Sequence, residues 1–204
     1  MRQFGDRARP VSFAVALIGT IAALSAATAA AAPPSVPYGR AFTLSGEVPR
    51  EAAGTRVDIL AREFGQKKFG RIATVTTIAG GHWSYQARPR IETRYLAKWR
   101  GGTSSTVKVH VSPFLDLDLV NGVLSVRGRT VRSLAGRFVI VQLRRPGGIW
   151  RDTRKLVLGN GSRTTTRFTA PQGRSELRLY MPQSQVGAGY VAGYSGILVF
   201  RNSA

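Results

Sequence analysis

The chain has 204 residues, with 30 Lys+Arg against 10 Asp+Glu, two His and no Cys, for a formal charge of +20. Without Cys there is no disulfide framework, thiolate metal site or thiol nucleophile, and two His cannot supply a three-His metal centre. At 43% apolar residues the chain has material for one or two hydrophobic cores.

Residues 1–32 read as an address. Arg2, Arg7 and Arg9 precede the uncharged apolar run Val11–Leu24, and the Ala-rich tail Ser25–Ala32 follows. A basic head, a short apolar middle and small residues at the end make a secretory signal peptide, with cleavage after Ala30 or Ala31. The same segment is long enough to serve as an uncleaved anchor. Beyond it no apolar run could span a membrane as a helix. Removing three Arg and one Asp leaves 27 basic against nine acidic side chains, or +18.

The remainder is one unit written twice. Gly46 and Gly54 recur as Gly128 and Gly136, and Val57-x-Ile59-x-Ala61-Arg62 recurs as Val139-x-Val141-x-Leu143-Arg144, all at an offset of 82. Phe69 aligns with Trp150, which suggests a shared inward anchor. Thr93-x-Tyr95-x-Ala97-x-Trp99 aligns with Ser175-x-Leu177-x-Leu179-x-Met181. Val107 and Val109 then match Ile197 and Val199 at 90, so the second copy carries about eight extra residues within Pro182–Gly193. That stretch, rich in Gly, reads as a mobile loop.

In the first copy, strands are predicted over 42–48, 56–62, 71–77, 82–87, 94–100 and 106–111, where residues alternate or are β-branched between turn residues. Gly80-Gly81 and Asn160-Gly161 are hairpin signals at equivalent points. Six or seven strands in about 80 residues predict an immunoglobulin-like sandwich for each copy, hence an all-β chain. The domains are placed at 33–112 and 113–204, divided at Ser112-Pro113.

The run Gly80-Gly81-His82-Trp83-Ser84-Tyr85, then Pro89 to Ala97 with Thr93 and Tyr95, then Ser104 to Val109, resembles the tandem Ig-like repeats of secreted bacterial proteins. That resemblance implies spacer, display or binding modules without catalysis. It covers residues 37–112 well and 115–201 loosely, because Thr164–Arg167 replaces the Trp-bearing strand and Leu177 replaces Tyr95.

Among individual residues, Trp83 and Tyr95 read as core. His82 and His110 read as solvated, since no further ligands are spaced to make a metal site. Asp116 and Asp118 alternate with three Leu, on the wet face of a strand. Lys67 and Lys68 sit in a Gly-flanked tip.

Period-2 arithmetic gives two candidate binding faces. If Val57, Ile59 and Ala61 point inward, then Arg56, Arg62, Arg94, Lys98, Arg100 and Lys108 form a basic outward face on copy one. In copy two the outward positions are Phe138, Ile140, Gln142 and Arg144, then Arg178 and Tyr180, then Leu198 and Phe200; this largely apolar and aromatic face, with Phe138, Ile140, Tyr180, Leu198 and Phe200 as candidate contacts, either packs against the other domain or its loop, or binds a partner. A one-residue slip would exchange the faces.

The sequence therefore predicts a secreted or envelope-associated, non-catalytic structural or binding module. It needs no cofactor or metal, and its partners are anionic wall polymers, acidic polysaccharide or another envelope protein. Charge spread over both copies, with no reading motif, argues against specific nucleic-acid recognition. A carbohydrate-binding module is the alternative, and it requires an exposed row of Trp or Tyr.

Overall fold

The computed structural model describes residues 33–49, 53–169 and 171–202. The proposed signal peptide lies outside them. In chain order the strands are β1 (Ser35–Pro37), β2 (Phe42–Glu47), β3 (Arg56–Glu63), β4 (Gly70–Thr76), β5 (His82–Ala87), β6 (Thr93–Trp99), β7 (Gly102–Thr103) and β8 (Val107–Ser112). They continue with β9 (Phe114–Val120), β10 (Val123–Arg129), β11 (Phe138–Arg144), β12 (Arg151–Val157), β13 (Arg163–Arg167), β14 (Gly173–Met181), β15 (Gly193–Tyr194) and β16 (Leu198–Asn202). One short helix, α1 (Gln183–Val186), and two single 3-10 turns, Ala79–Gly81 and Asn160–Ser162, complete the list.

The strands form two sandwiches. In the first, a sheet ordered β1-β8-β6-β3-β4, with β7 on β6, faces the pair β2-β5. In the second, β12-β11-β14, extended by β15 and β16 on β14, faces β13-β10-β9. The chain crosses between sheets as in an immunoglobulin-like sandwich, and the protein is an all-β chain of tandem domains of this kind.

The alternation in β3 decides which side is core. Val57, Ile59 and Ala61 are buried, whereas Asp58, Leu60 and Arg62 are half-buried on the outer side. The inner residues meet Leu44 of β2 and Trp83 of β5, with Tyr95, Ala97 and Val109 in the same cluster. Each fully buried aliphatic side chain contributes about 1.5–3 kcal/mol, so these positions set the parity of the sheet.

The two sandwiches repeat each other in detail. Ala61 pairs with Tyr95, and Leu143 pairs with Leu177, so both strand pairs keep the offset of 82. A β-bulge follows Ile59 in one copy and Val141 in the other, again 82 apart. The Ala97 N–H donates to Ser104 Oγ at 2.9 Å, and the Leu179 N–H donates to Ser195 Oγ at 2.8 Å.

Three sequence expectations need correction. Gly80-Gly81 and Asn160-Gly161 do not close hairpins. β4 pairs β3 while β5 pairs β2, so the turn carries the chain from one sheet to the other, as does its counterpart after β12. Both turns need left-handed backbone, at Gly80 (φ 78°) and Gly161 (φ 70°).

The final strand lies one residue away from its predicted alignment. Thr93 faces Val109 and Ser175 faces Phe200, so after β14 the offset is 91 and the insertion is nine residues. Leu198 and Phe200 consequently pack against the core, while Ile197 and Val199 are exposed. Every residue from Ile197 to Phe200 is apolar, so the alternation that fixed β3 is missing here.

The third correction concerns Pro182–Gly193, which is a wedge between the sandwiches. Tyr190 is buried, and its hydroxyl donates to the Arg90 carbonyl at 2.7 Å and accepts the Val131 N–H at 3.0 Å. The Glu92 N–H donates to the Gly189 carbonyl and the Val191 N–H to the Val111 carbonyl. Ile91 and Val111 belong to the core cluster of the second sandwich, joined by Val186 and Tyr190.

Tyr95 yields a pH prediction. Burial pushes its phenol up to about 12, while its hydrogen bond with Thr93 opposes the shift. The unfolded chain releases this proton near pH 10 and the folded chain holds it. The contribution is complete below pH 10 and is lost as pH rises towards 12, a fall of roughly 2–3 kcal/mol. Urea unfolding midpoints across this range should fall less steeply in Tyr95→Phe; parallel curves would refute the assignment.

Candidate functional site

The basic face forms because β3, β6 and β8 are adjacent and their buried residues fix the parity. Arg62, Arg94 and Lys108 then lie directly opposite one another on three neighbouring strands. Lys98 lies opposite Asp58 two rows along the same face, beyond the pair Leu60 and Leu96. Like charges directly across a sheet are unfavourable, and among the described residues only part of this row is relieved.

Glu92 provides that relief. Its carboxylate is 3.0 Å from Lys108 Nζ and 3.1 Å from His110 Nδ1, the latter without hydrogen-bond geometry. His110 is therefore not simply solvated. Its side chain is 21% exposed, because β1 pairs alongside β8 and places Ser35 opposite His110. His82 does remain exposed, 3.9 Å from Glu47.

Asp58 binds at the other end of the face, accepting from Thr74 Oγ1 at 2.6 Å and lying 3.8 Å from Arg71. Among the described residues, Arg56, Arg62, Arg94, Lys98 and Arg100 form no ion pair. Arg56, Lys98 and Arg100 line a broad groove of about 1120 Å³ with Thr55, Asp58, Arg71, Trp99 and Gly101. Trp99 is half-buried, packs against the first core and lies with its indole against Gly102. The groove can hold an extended anionic chain against several guanidinium and ammonium groups.

The second outer face differs from its prediction. Leu198 and Phe200 are on the inner side, as described above. Ile140 is buried, and Phe138 is half-buried, with Lys155 5.1 Å from its ring centroid. Tyr180 stacks on Tyr194 at 4.8 Å. Arg178 lies over both the Tyr194 ring at 4.3 Å and the Trp150 ring at 4.1 Å, and Arg144 covers Trp150 at 4.5 Å.

Polar side chains close this layer. Arg178 Nε donates to Gln142 Oε1 at 2.8 Å, Gln142 Nε2 donates to Asp152 at 2.7 Å, and Arg144 pairs with Glu176. The face predicted to be largely apolar is an interleaved ladder of rings and guanidinium groups, in which Gln142, Arg144 and Arg178 find partners. Phe69 repeats the theme with Arg62 at 4.9 Å, so Phe69 and Trp150 are equivalent anchors on the outside, not the inside. Their alignment was legible in the sequence; the direction was not, because both precede the strand that would have set it.

Trp83 and Tyr95 are core residues. Asp116 and Asp118 are exposed, and Arg129 pairs with Asp116 at 3.1 Å. The described residues contain no group of three or more potential metal ligands. No helix among them is long and apolar enough to cross a membrane.

No family model matches the chain, and no curated protein matches it. Among solved structures, the chain is similar to the chicken interferon gamma receptor alpha chain, at 10% identity and a TM-score of 0.38, over 76% of this chain and 87% of that one. It is also similar to the FN1–FN3 domains of chicken CNTN1, at 14% identity and a TM-score of 0.27, over 85% of this chain. Domains A168–A170 of titin match at 12% identity and a TM-score of 0.28, over 83% of this chain. The chain spans 64% and 62% of the length of the latter two.

Proposed function

We propose that the protein is a non-catalytic module, secreted or held at the cell envelope, that contacts anionic surface polymers through the outer face of its first sandwich. We place its two domains at 33–112 and 113–204, with residues 1–32 as the export signal. The observation that carries the reading is the cross-strand row Arg62, Arg94 and Lys108, continued towards Arg56, Lys98 and Arg100. Among the described residues, Arg56, Arg62, Arg94, Lys98 and Arg100 on this face have no carboxylate within ion-pair distance.

A polyanion of repeating charge fits such a face better than a small ligand, because the groove is broad and open and the cations are spread along it. Acidic polysaccharide and phosphate-bearing wall polymers share that chemistry. An envelope protein presenting carboxylates would meet the same groups. Attraction of this kind weakens as salt shortens the Debye length from about 10 Å at 0.1 M to about 3 Å at 1 M.

The test is co-sedimentation with isolated wall material and with a soluble polyuronate, at low and high salt. Binding should fall at least about tenfold with salt, and by a similar factor in Arg56→Glu/Lys98→Glu/Arg100→Glu at low salt. Binding indifferent to both changes would remove the ionic mechanism. The carbohydrate-binding alternative needs an open row of rings. Trp83 is buried, Trp99 is half-buried over Gly102, and Trp150 is clamped by two Arg, so the three Trp do not provide one.

A further inference from the structure

The seam where the chain passes from one sandwich to the other holds a second concentration of positive charge. Tyr38, Gly39 and Arg40 follow β1, and Phe114 opens β9 directly after Ser112-Pro113. The Tyr38 N–H donates to the Ser112 carbonyl at 2.8 Å, and the Arg40 N–H donates to the Pro37 carbonyl at 3.0 Å. Gly39 turns the chain between them on left-handed backbone, at φ 80°. The Tyr38 side chain is half-buried and packs against the core of the second sandwich. The turn is therefore tied to both sandwiches.

A cavity of about 290 Å³ opens here, lined by Tyr38, Gly39, Arg40, Phe114 and Arg129. Arg129 lies opposite Phe114 across β10 and β9. Its guanidinium stands 4.2 Å from the centre of the Phe114 ring, and that of Arg40 stands 5.5 Å from it. A guanidinium resting on a ring keeps its N–H groups for oxygen acceptors. Arg129 donates from Nη2 to Asp116 at 3.1 Å, and its other N–H groups remain to be matched. Among the described residues, Arg40 forms no ion pair.

The third group is the Tyr38 phenol. It accepts from Arg90 Nη2 at 3.3 Å, which leaves its own O–H to donate. Arg90 is fixed in turn by its main chain, because its carbonyl accepts from the Tyr190 hydroxyl. Glu63 acts on Arg90 only through space, beyond ion-pair distance. Three guanidinium groups at the seam thus face one paired carboxylate, Asp116, and a more distant one.

We infer that this cavity binds one small oxyanion, a carboxylate or phosphate group, held between the two sandwiches. Arg40 supplies the uncompensated charge, Arg129 the N–H groups that Asp116 does not use, and Tyr38 a neutral O–H donor. The volume is at the small end of ligand cavities, so it suits inorganic phosphate or a single sugar acid and not a polymer chain. Tyr38 and Arg40 come from the first sandwich, Phe114 and Arg129 from the second. An anion bound there stabilises the joined form over the separated one. The site shares no residue with the outer basic face, so it stands or falls without it.

Titration calorimetry of the full chain with inorganic phosphate and with glucuronate, at ionic strength held constant with chloride, tests this. The expected result is saturable one-to-one binding of at least one of the two, and the tighter binder names the group. Arg40→Ala should weaken it at least about tenfold, and Tyr38→Phe, which keeps the packed ring, by about tenfold. Saturating anion should raise the melting temperature of the wild-type chain by about 5 °C and leave that of Arg40→Ala in place. Saturable binding of neither anion overturns the proposal, whatever the polymer-binding result on the first sandwich. Binding that survives Arg40→Ala but is lost in Arg56→Glu/Lys98→Glu/Arg100→Glu moves the anion to the outer face and overturns it as well.

Discussion

Tyr190→Ala is expected to destabilise the protein by about 3–5 kcal/mol, the usual cost of removing a buried aromatic side chain. Tyr190 is 3% exposed, and its ring sits in the cluster that contains Ile91 and Val111 of the first sandwich and Val186 of the insertion. Its hydroxyl joins residues 100 positions apart, Arg90 on one sandwich and itself on the other, and also takes the Val131 N–H. Removing the side chain opens a cavity and strands a carbonyl and an N–H together.

Calorimetry should show the consequence as a change in cooperativity. The wild-type chain is expected to melt in one transition, because Ile91 and Val111 of the first sandwich are buried in the core cluster of the second, and Val36 packs against both clusters. Tyr190→Ala should melt in two, the earlier one lower by roughly 10 °C for a chain of this size. Tyr190→Phe keeps the ring and loses only the hydrogen bonds, at about 1–3 kcal/mol. Gly189→Val should resemble the alanine variant. A Cβ there would stand 2.7 Å from Ile91 and 3.0 Å from Phe64, on backbone at φ 82° that disfavours any other residue. A single unshifted transition in Tyr190→Ala would show that the insertion does not couple the sandwiches.

The insertion illustrates which parts of the molecule the sequence could disclose. Its presence was readable, because two copies of one pattern expose whatever one of them has gained. Its role was not. Gly187, Gly189 and Gly193 suggest mobility when read alone, yet Gly189 and Gly193 are there because Ile91 and Pro113 leave no room for a Cβ. A long-range packing requirement and a flexible loop leave the same residue behind.

The basic face was legible for a related reason. In β3 and β6 every inward position is apolar or small and the outward ones include charges, so parity follows from burial energy alone. In β16 both parities are apolar, and the nine-residue insertion removed the offset that could have settled the matter. The outer ladder of the second sandwich escaped notice because its geometry depends on Trp150 and Tyr194, which come from loops and a two-residue strand. No periodicity places such residues over a sheet.

Trp83→Ala is expected to cost about 3–5 kcal/mol, whereas Trp150→Ala should cost about 1–2 kcal/mol, the scale of its two cation–π contacts. The contrast follows from where each ring lies. Trp83 is 5% exposed in the first core, with its indole flat against Gly46, where a Cβ would come within 2.8 Å of the ring. Gly46→Val should therefore match the loss seen in Trp83→Ala in direction, at about 1–3 kcal/mol from overpacking. The double variant should fall short of the sum, because removing the indole makes room for the valine. The second copy repeats the device with different residues. A Cβ on Gly128 would lie 2.7 Å from Leu134, so a smaller side chain fills the space above the equivalent glycine. Chemical denaturation of the four proteins measures the coupling directly. Full additivity would place Gly46 outside the reach of the indole, and a Trp150→Ala loss as large as that of Trp83→Ala would move the second ring from the surface ladder into the core.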